Sequence, residues 1–480
     1  MARGGVKQST AGAPVEGPWA LPEGWHWERI ETVAPVNPRR VRDGLADETE
    51  VAFVPMASVQ AGTGGIDVTT RRAVGLVRKG FTRFGPGDVL FAKITPCMEN
   101  GKIAIVPDVP AGTGFGSTEF HVLSPKDVTS KYLYYWVSQR GFRETAEFNM
   151  TGTAGQKRVP TDFMRDALIP VPPLEVQAAI VVRIDELFAE VDDGEAALAL
   201  ARDDLATWRK ALLKAAVTGE LTADWRAANP PAEAGADLSA RILADRASVA
   251  VTRLGKRRDK APEDVTPSQQ RLMWAAPEGW TWMQLGTFSF VTKLAGFEYT
   301  KFVRYDDDGD LRVIKAENAG LQGFKETDYS RIKSSSVAEL TRSRLHGGEL
   351  LMVFVGAGTG NVAIVPDGED FFLGPNIGMV RVETDIVSPR YVELFLRSPV
   401  GKALATVAMK AVAQPSLSMG TIRQIPILLP PAAEQDEILR RLEHALLATT
   451  DCVTDIRDQQ TYATTLRQSI LAAAFRGDLA

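Results

Sequence analysis

Apolar or small side chains recur at alternating steps of four and three along two stretches of the chain. In the first they are Ile180, Ile184, Leu187, Val191, Gly194, Leu198, Ala201, Leu205, Trp208, Leu212 and Ala215. The second stretch has Ile438, Leu442, Ala445, Thr449, Cys452, Ile456, Gln459, Ala463, Leu466, Ile470 and Ala473. A mean step of about 3.5 residues is a coiled-coil seam. Each stretch opens on a proline pair, Pro172-Pro173 or Pro430-Pro431, and closes on Gly219 or Gly477, where a C-terminal cap belongs. The pattern predicts one continuous helix in 172–221 and another in 430–480, each a rod of about 60 Å. The alternative is two independent core helices. Equivalent seams in one chain predict an antiparallel, pseudo-twofold pair. Ile180, Ile184, Leu187, Leu198, Leu205, Trp208, Leu212, Ile438, Leu442, Ile456, Leu466 and Ile470 are then seam and partner-binding positions. Weak seam positions (Gly194, Thr449, Gln459) and the off-seam Leu439, Leu446 and Leu447 leave surface for a partner helix.

The two stretches are copies. Pro172 matches Pro430, Gln177 matches Gln435 and Arg209 matches Arg467, at a constant offset of 258 (430 − 172). The preceding regions repeat more loosely. Leu21-Pro22-Glu23-Gly24-Trp25 returns as Ala276-Pro277-Glu278-Gly279-Trp280, and Ala104-Ile105-Val106-Pro107-Asp108 returns as Ala363-Ile364-Val365-Pro366-Asp367. Insertions are tolerated in loops but would shift a helix seam, so drift followed by constancy marks a loop-rich domain followed by a helix. Short β-rich runs such as Val51–Val54, Val89–Ala92, Leu350–Val355 and Met379–Val382, separated by Gly-rich loops, give an α/β (α+β) class to 19–171 and 276–429. The connector, 222–275, predicts a helix over about 234–254 and an exposed basic tail at Gly255–Pro262. Residues 1–18 read as a disordered start.

No apolar run is long enough for a membrane span, and the small, polar N-terminus lacks a signal-peptide core; with two cysteines (Cys97, Cys452) this predicts a cytoplasmic, reducing setting. The net charge of −5 neither supports nor excludes nucleic-acid binding, because local basic clusters can face phosphate while acidic surfaces lie elsewhere. His26, His121, His346 and His444 have no ligand spacing with the cysteines, so no metal site is expected. Phe354–Gly360 looks like a methyltransferase cofactor loop, but it stands where the first copy has Lys93-Ile94-Thr95-Pro96-Cys97, and a shared turn is the better reading. Asn229-Pro230-Pro231-Ala232 lacks the aromatic residue of an adenine methyltransferase motif. No catalytic residues are assigned.

The ordered set of motifs resembles the specificity subunit of type I restriction-modification systems over nearly the whole chain. It comprises the two Pro-Glu-Gly-Trp starts, Leu90–Lys102, Ser117-Thr118-Glu119-Phe120, the Pro-Pro-x-x-x-Gln helix openings, and the helix ends Arg209–Gly219 and Arg467–Gly477. The resemblance implies two target recognition domains, each reading one half of a bipartite DNA sequence, and conserved helices that set the gap. It implies double-stranded DNA, two modification (methyltransferase) subunits and restriction subunits as partners. S-adenosylmethionine would then sit in the modification subunit, and ATP and Mg in the restriction subunit, with no cofactor in this chain. A coiled-coil interaction scaffold that does not bind DNA is the main rival, and a free-standing DNA-modifying enzyme a lesser one.

Base edges are read mostly by Arg, Lys, Asn and Gln, with further cations on phosphate. The first domain offers Arg71, Arg72, Arg78, Lys79, Arg83, Lys93, Gln156, Lys157 and Arg158. The second offers Lys301, Arg304, Lys315, Lys325, Arg331, Lys333, Arg342, Arg344 and Lys410.

Overall fold

The computed structural model describes residues 15–40, 44–153, 155–253, 261–356, 358–408 and 416–479. The chain divides into two compact units, one made of residues 1–200 and 456–480 and the other of residues 201–455. Among the described residues, no helix is long and apolar enough to cross a membrane.

The first unit contains β1 (His26–Arg29), β2 (Glu50–Val54), β3 (Arg71–Ala73), β4 (Thr82–Phe84), β5 (Val89–Ala92), β6 (Ile103–Ile105), β7 (Gly114–Gly116), β8 (Phe120–Leu123) and β9 (Leu168–Val171). One sheet has the order β3-β2-β7-β4, with β2 and β7 parallel, and the other β6-β5-β8. Every residue of β5 and β8 is buried, His121 of β8 included, and β5 accordingly reads as an unbroken apolar run rather than an alternating one. β1 pairs antiparallel with β9 and brings the start of the domain beside its end. Two side chains lock that junction. The Tyr132 hydroxyl donates to the Pro170 carbonyl at 2.8 Å, and buried Gln177 accepts from the Thr129 amide at 3.0 Å and donates to the Pro172 carbonyl at 3.0 Å.

The second unit repeats this plan. Its strands are β10 (Thr281–Gln284), β11 (Ser289–Lys293), β12 (Leu311–Ile314), β13 (Ala319–Gly320), β14 (Gly323–Phe324), β15 (Ser330–Ile332), β16 (Arg344–Leu345), β17 (Leu350–Val353), β18 (Val362–Ile364), β19 (Phe371–Leu373), β20 (Ile377–Val382) and β21 (Pro426–Leu429). The orders are β15-β12-β19-β16 and β11-β20-β17-β18, with β12 and β19 parallel. The additional strand β11 stands where the first unit has only a bridge, Val36 to Leu123. Tyr391 donates to the Leu428 carbonyl at 2.8 Å, and Gln435 bonds the Ser388 amide and the Pro430 carbonyl. The internal repeat is therefore a repeat of topology and of individual hydrogen bonds.

Each unit is completed by pieces of both rods. In the first, Ile180, Ile184 and Val191 from the start of one helix share a core with Ala463, Ile470, Leu471, Ala474 and Phe475 from the end of the other. Phe475 lies 4.9 Å from Tyr132 and 5.1 Å from Trp136 between ring centroids. Arg467 pairs with Asp192 and with Glu195 at 2.8 Å. In the second unit, Leu212, Ala216 and Val217 from the end of the first helix share a core with Ile438 and Leu442 from the start of the second. Start-against-end packing is what the expected antiparallel pairing requires within each unit. Both helix ends need glycine. Gly477 has φ +91° and a Cβ there would lie 2.3 Å from Pro22; Gly219 has φ +84° and a Cβ 2.9 Å from Pro277.

The first rod is one helix, Leu174–Thr218, 45 residues long. The second is not. It breaks into Ala432–Leu447 and Thr450–Arg476, against the expectation of a continuous helix. The Thr449 amide reaches back three residues to the Leu446 carbonyl at 3.2 Å, and the Thr449 and Thr450 hydroxyls converge on the same oxygen at 2.9 and 3.2 Å. Such hydroxyl back-bonding competes with the regular ladder and tightens the turn. The seam is buried at Ile180, Ile184, Ile438 and Ile470, and partly at Leu187, Leu198, Leu205, Leu212, Ile456 and Leu466. Trp208 is 40% exposed, so it departs from a closed seam.

One further expectation changes. Val15 already bridges to Trp27, inside the segment read as disordered; residues 1–14 lie outside the described residues. The connector is more than a tether. Its central helix forms at Gly235–Arg253, buries Leu238 and Ile242, and sends Arg246 to the carbonyls of Gly286, Thr287 and Ser289. Of its basic tail, residues 255–260 lie outside the described residues.

Candidate nucleic-acid interface

In the first unit, three chain segments converge after β5, before β8 and at residues 156–159. The Lys93 amide donates to the Glu119 carbonyl at 2.9 Å, the Val159 amide donates to the Lys93 carbonyl at 2.8 Å, and Ile94 bridges to Arg158. This backbone frame holds Lys93, Glu119 and Arg158 together. Arg158 grips Glu119 through two hydrogen bonds of 2.9 Å. The Arg158 hydrogen bond, assisted by the charges of Arg158 and Lys93, holds the Glu119 carboxyl below the usual range. Burial lowers the Lys93 ammonium, opposed by Glu119. Behind them His121 is buried between the Asn37 side chain (3.1 Å) and the Val159 carbonyl (2.9 Å), and burial pushes its imidazole down to about 4. Gln156 and Lys157 are exposed beside this cluster. The loop from Thr95 to Lys102 is pinned by Arg143, which donates to the Glu99 carbonyl at 2.7 Å, and by Lys102, which donates to the Met56 carbonyl at 3.0 Å.

The remaining first-domain candidates belong to the other sheet. Arg71 and Arg72 stand exposed on β3, with Arg72 stacked 3.8 Å over the Phe53 ring. Arg83, on β4, donates to Thr113 at 3.0 Å. Arg78 bonds the Leu45 carbonyl at 2.7 Å and Asp47 at 3.1 Å, which gives it a structural tie. Lys79 is exposed.

In the second unit the same backbone frame carries other side chains. The Phe354 amide donates to the Asn376 carbonyl at 3.3 Å, the Leu417 amide donates to the Phe354 carbonyl at 2.9 Å, and Val355 bridges to Ser416. Phe354, Asn376 and Ser416 thus take the places of Lys93, Glu119 and Arg158, and Lys293 lies 4.8 Å over the Phe354 ring. The Gly-rich run after Phe354 is a tight turn, with the Gly360 amide closing on the Val353 carbonyl at 2.9 Å. It borders a concavity of about 1000 Å³ shared with the β13–β14 hairpin, whose tip exposes Leu321 and Gln322. Asn361 ties turn to hairpin by donating to the Ala319 carbonyl at 3.1 Å.

The predicted cations of this unit do not gather there. Lys333 pairs with Asp306 at 3.0 Å, Arg342 with buried Glu298, and Lys315 with Ser330 at 2.7 Å. Arg331 donates to the Gly309 carbonyl, Arg344 to that of Ser334, and Arg304 to those of Thr300 and Val303. Lys301 and Lys325 are exposed, and Lys325 lines the concavity. Lys410 lies outside the described residues. The candidates drawn from the sequence do not include Glu119, Asn37, Gln322, Asn361 or Asn376, which the fold brings to the frame and the concavity. The Gly320-Leu321-Gln322-Gly323 turn was the available signal for the hairpin. Among the described residues, no group of three or more His, Cys, Asp or Glu side chains is placed to hold a metal.

A duplicated α/β domain with one loop frame and two different sets of side chains is the architecture of a two-part reader. The chain belongs to the type I restriction modification DNA specificity domain family, whose profile matches residues 22–197 and again 277–459. It is 26% identical to the type I restriction enzyme EcoEI specificity subunit of Escherichia coli over 478 aligned residues, covering 89% of this chain and 78% of that one. A 182-residue match to the EcoAI specificity subunit of Escherichia coli reaches 39% identity, covering 38% of this chain and 31% of that one. A chain from a solved type I R-M system superposes with a TM-score of 0.66 at 18% identity, over 96% of this chain and 100% of that one, a likeness of fold.

Proposed function

We propose that the chain is the DNA-specificity subunit of a type I restriction-modification complex and supplies no chemistry itself. Each domain reads one half of a bipartite target. The rods hold the gap between the halves and dock two modification subunits, which carry S-adenosylmethionine and methylate a flipped adenine. Restriction subunits, with ATP and Mg, complete the complex. The observation that carries this reading is the loop frame built twice with different side chains, Lys93, Glu119 and Arg158 against Phe354, Asn376 and Ser416. A fixed backbone with exchanged side chains suits two readers of different sequences. Exposed apolar residues along the rods, Leu200, Trp208, Leu447, Val453 and Tyr462, supply docking surface.

The test is co-expression with a neighbouring modification subunit, followed by mapping of N6-methyladenine across host DNA. One bipartite motif with a fixed gap is expected. A well-folded complex that adds no methylation would overturn the proposal in favour of a protein-binding scaffold.

A further inference from the structure

Beside the loop frame, each unit builds a second element on one plan. A short helical turn, Met56–Ser58 or Ala316–Asn318, leads into a two-stranded ribbon. The ribbon is bridged at Val59 and Ile66 in the first unit and paired as β13 with β14 in the second. The hydrogen bond below it is also repeated. The Asp67 amide donates to the Ser58 carbonyl at 2.9 Å, and the Lys325 amide to the Asn318 carbonyl at 2.9 Å. Each ribbon is tied to the residue before β6 or β18: Ala61 bridges to Lys102, and Asn361 donates to the Ala319 carbonyl at 3.1 Å. Each also rests on the matching helix, Ser130–Ser138 or Pro389–Arg397. A Cβ at Gly64 would lie 2.5 Å from the Tyr134 hydroxyl, and one at Gly323 3.3 Å from the Arg397 guanidinium.

The tips differ. In the first unit the tip runs from Ala61 to Gly64 and is sewn down. The Gly62 amide donates to the Gly101 carbonyl at 3.0 Å, and the Thr63 hydroxyl is spent on Gln60 at 3.0 Å. In the second unit only Leu321 and Gln322 stand between the paired Gly320 and Gly323. Leu321 is 74% exposed, and Gln322 and Lys325 are exposed as well. The base that carries this tip is firmly held. Buried Asn318 accepts from the Lys315 amide at 2.9 Å and donates to the Lys325 carbonyl at 3.0 Å and the Thr327 hydroxyl at 2.8 Å.

That combination has a defined chemistry. The major groove of DNA admits a two-stranded ribbon. A carboxamide there accepts from the adenine N6 amino group while donating to N7, and an apolar side chain meets the thymine methyl. A lysine at the foot of the ribbon suits phosphate, which positions without specifying. Reading also demands that the side chain be aimed by a fixed support, which the Asn318 bonds and the helix contact supply.

We propose that the β13–β14 tip is a second sequence-reading element of the second domain. Gln322 takes the adenine edge of an adenine–thymine pair in the major groove, and Leu321 a thymine methyl at or beside that pair. This rests on the DNA-specificity reading above and adds to it a residue and a base. The test uses the full chain co-expressed with the modification subunit, N6-methyladenine mapping to obtain the motif, and duplexes of that motif for binding. Gln322→Ala should relax one adenine–thymine position in one half of the motif, lowering discrimination there about tenfold or more, while the other half and the gap stay as they are. Gln322→Glu, of the same size without the amide donor, should relax the same position, and an unchanged thermal midpoint certifies both folds. Deoxyuridine in place of that thymine should weaken binding of the unaltered complex several-fold and make no difference to Leu321→Ala. A motif unchanged by both Gln322 variants, or binding weakened equally at every sequence, overturns the inference and leaves the specificity role standing. Equal binding of thymine and uracil duplexes overturns the assignment of Leu321. Absence of methylation by the unaltered complex overturns the specificity role itself, and the inference with it.

Discussion

The two units solve one packing problem in opposite ways. Where the rod of the second unit begins, Glu434 is 2% exposed and accepts from the Thr222 hydroxyl and the Trp280 indole, each at 2.7 Å, with Arg226 at 3.6 Å. The matching position in the first unit is Val176, which packs with Trp25 and Leu479 in an apolar cluster. At the loop frame the contrast reverses. The first unit carries the ion pair and the second the uncharged set. Backbone plan and side-chain chemistry have diverged independently: the plan survives wherever hydrogen bonds of the main chain enforce it, and charge moves freely between solutions that satisfy the same frame.

The buried carboxylate gives the largest test of this contrast. Glu434→Ala leaves two donors and a cation without their acceptor, and breaking such a buried network costs about 3–5 kcal/mol. Val176→Ala should cost only about 1 kcal/mol, since the residue is partly exposed and only a few methyl contacts are lost. Urea unfolding with hydrogen exchange read separately in each unit compares them; equal losses would erase the distinction.

Acid should act on the first unit. The His121 imidazole is held at about 4 in the folded chain, below its usual 6.5. Between those values the unfolded chain binds the proton and the folded chain does not, so the stability present above pH 6.5 is lost as pH falls toward 4. The loss reaches roughly 3 kcal/mol. The second unit has Gly378 at the matching position. Thermal unfolding from pH 7 to 4 should show the decline, and His121→Gln should flatten it.

If the loop frame reads DNA as proposed, Arg158→Ala should weaken binding of the cognate half-site by roughly ten- to a hundredfold and relax methylation at one base position. Ser416→Ala should alter the other half-site only. An Arg158→Ala variant that weakens all sequences alike would reassign Arg158 to phosphate. The smallest effect concerns what the units share. Tyr132→Phe and Tyr391→Phe each remove one hydroxyl bond to a strand carbonyl, and each should cost about 1 kcal/mol. Unequal costs would show that the common scaffold is less alike than its hydrogen bonds.

The rods and their glycine caps were legible in the sequence because helix periodicity and capping are local. The repeat supplied a second reading of each, as at Gln177 and Gln435. The break at Thr449 was masked because a threonine on a seam looks like a weak apolar position until its hydroxyl finds a carbonyl. Parallel pairing of β2 with β7 is non-local, joining residues about sixty apart, and leaves no periodic trace. Of the candidate site, Lys93, Gln156, Lys157 and Arg158 come together as a set. Glu119 and Asn376 escaped because only pairing of β8 and β20 with their neighbours brings them beside the loops. The second-domain cations do not form one cluster: among the described residues Lys333 and Arg342 pair with local carboxylates, Arg304, Arg331 and Arg344 with local carbonyls, and Lys301 and Lys325 stand exposed.

The first unit draws its core from residues 456–479, whereas the second is contiguous from 201 to 455. On the ribosome the order of completion therefore inverts the order of synthesis. The second unit has all its parts while the first, though synthesised earlier, still waits with Tyr132 and Trp136 uncovered until Phe475 emerges. For that interval the nascent chain presents an open aromatic surface, the condition under which chaperones are most needed.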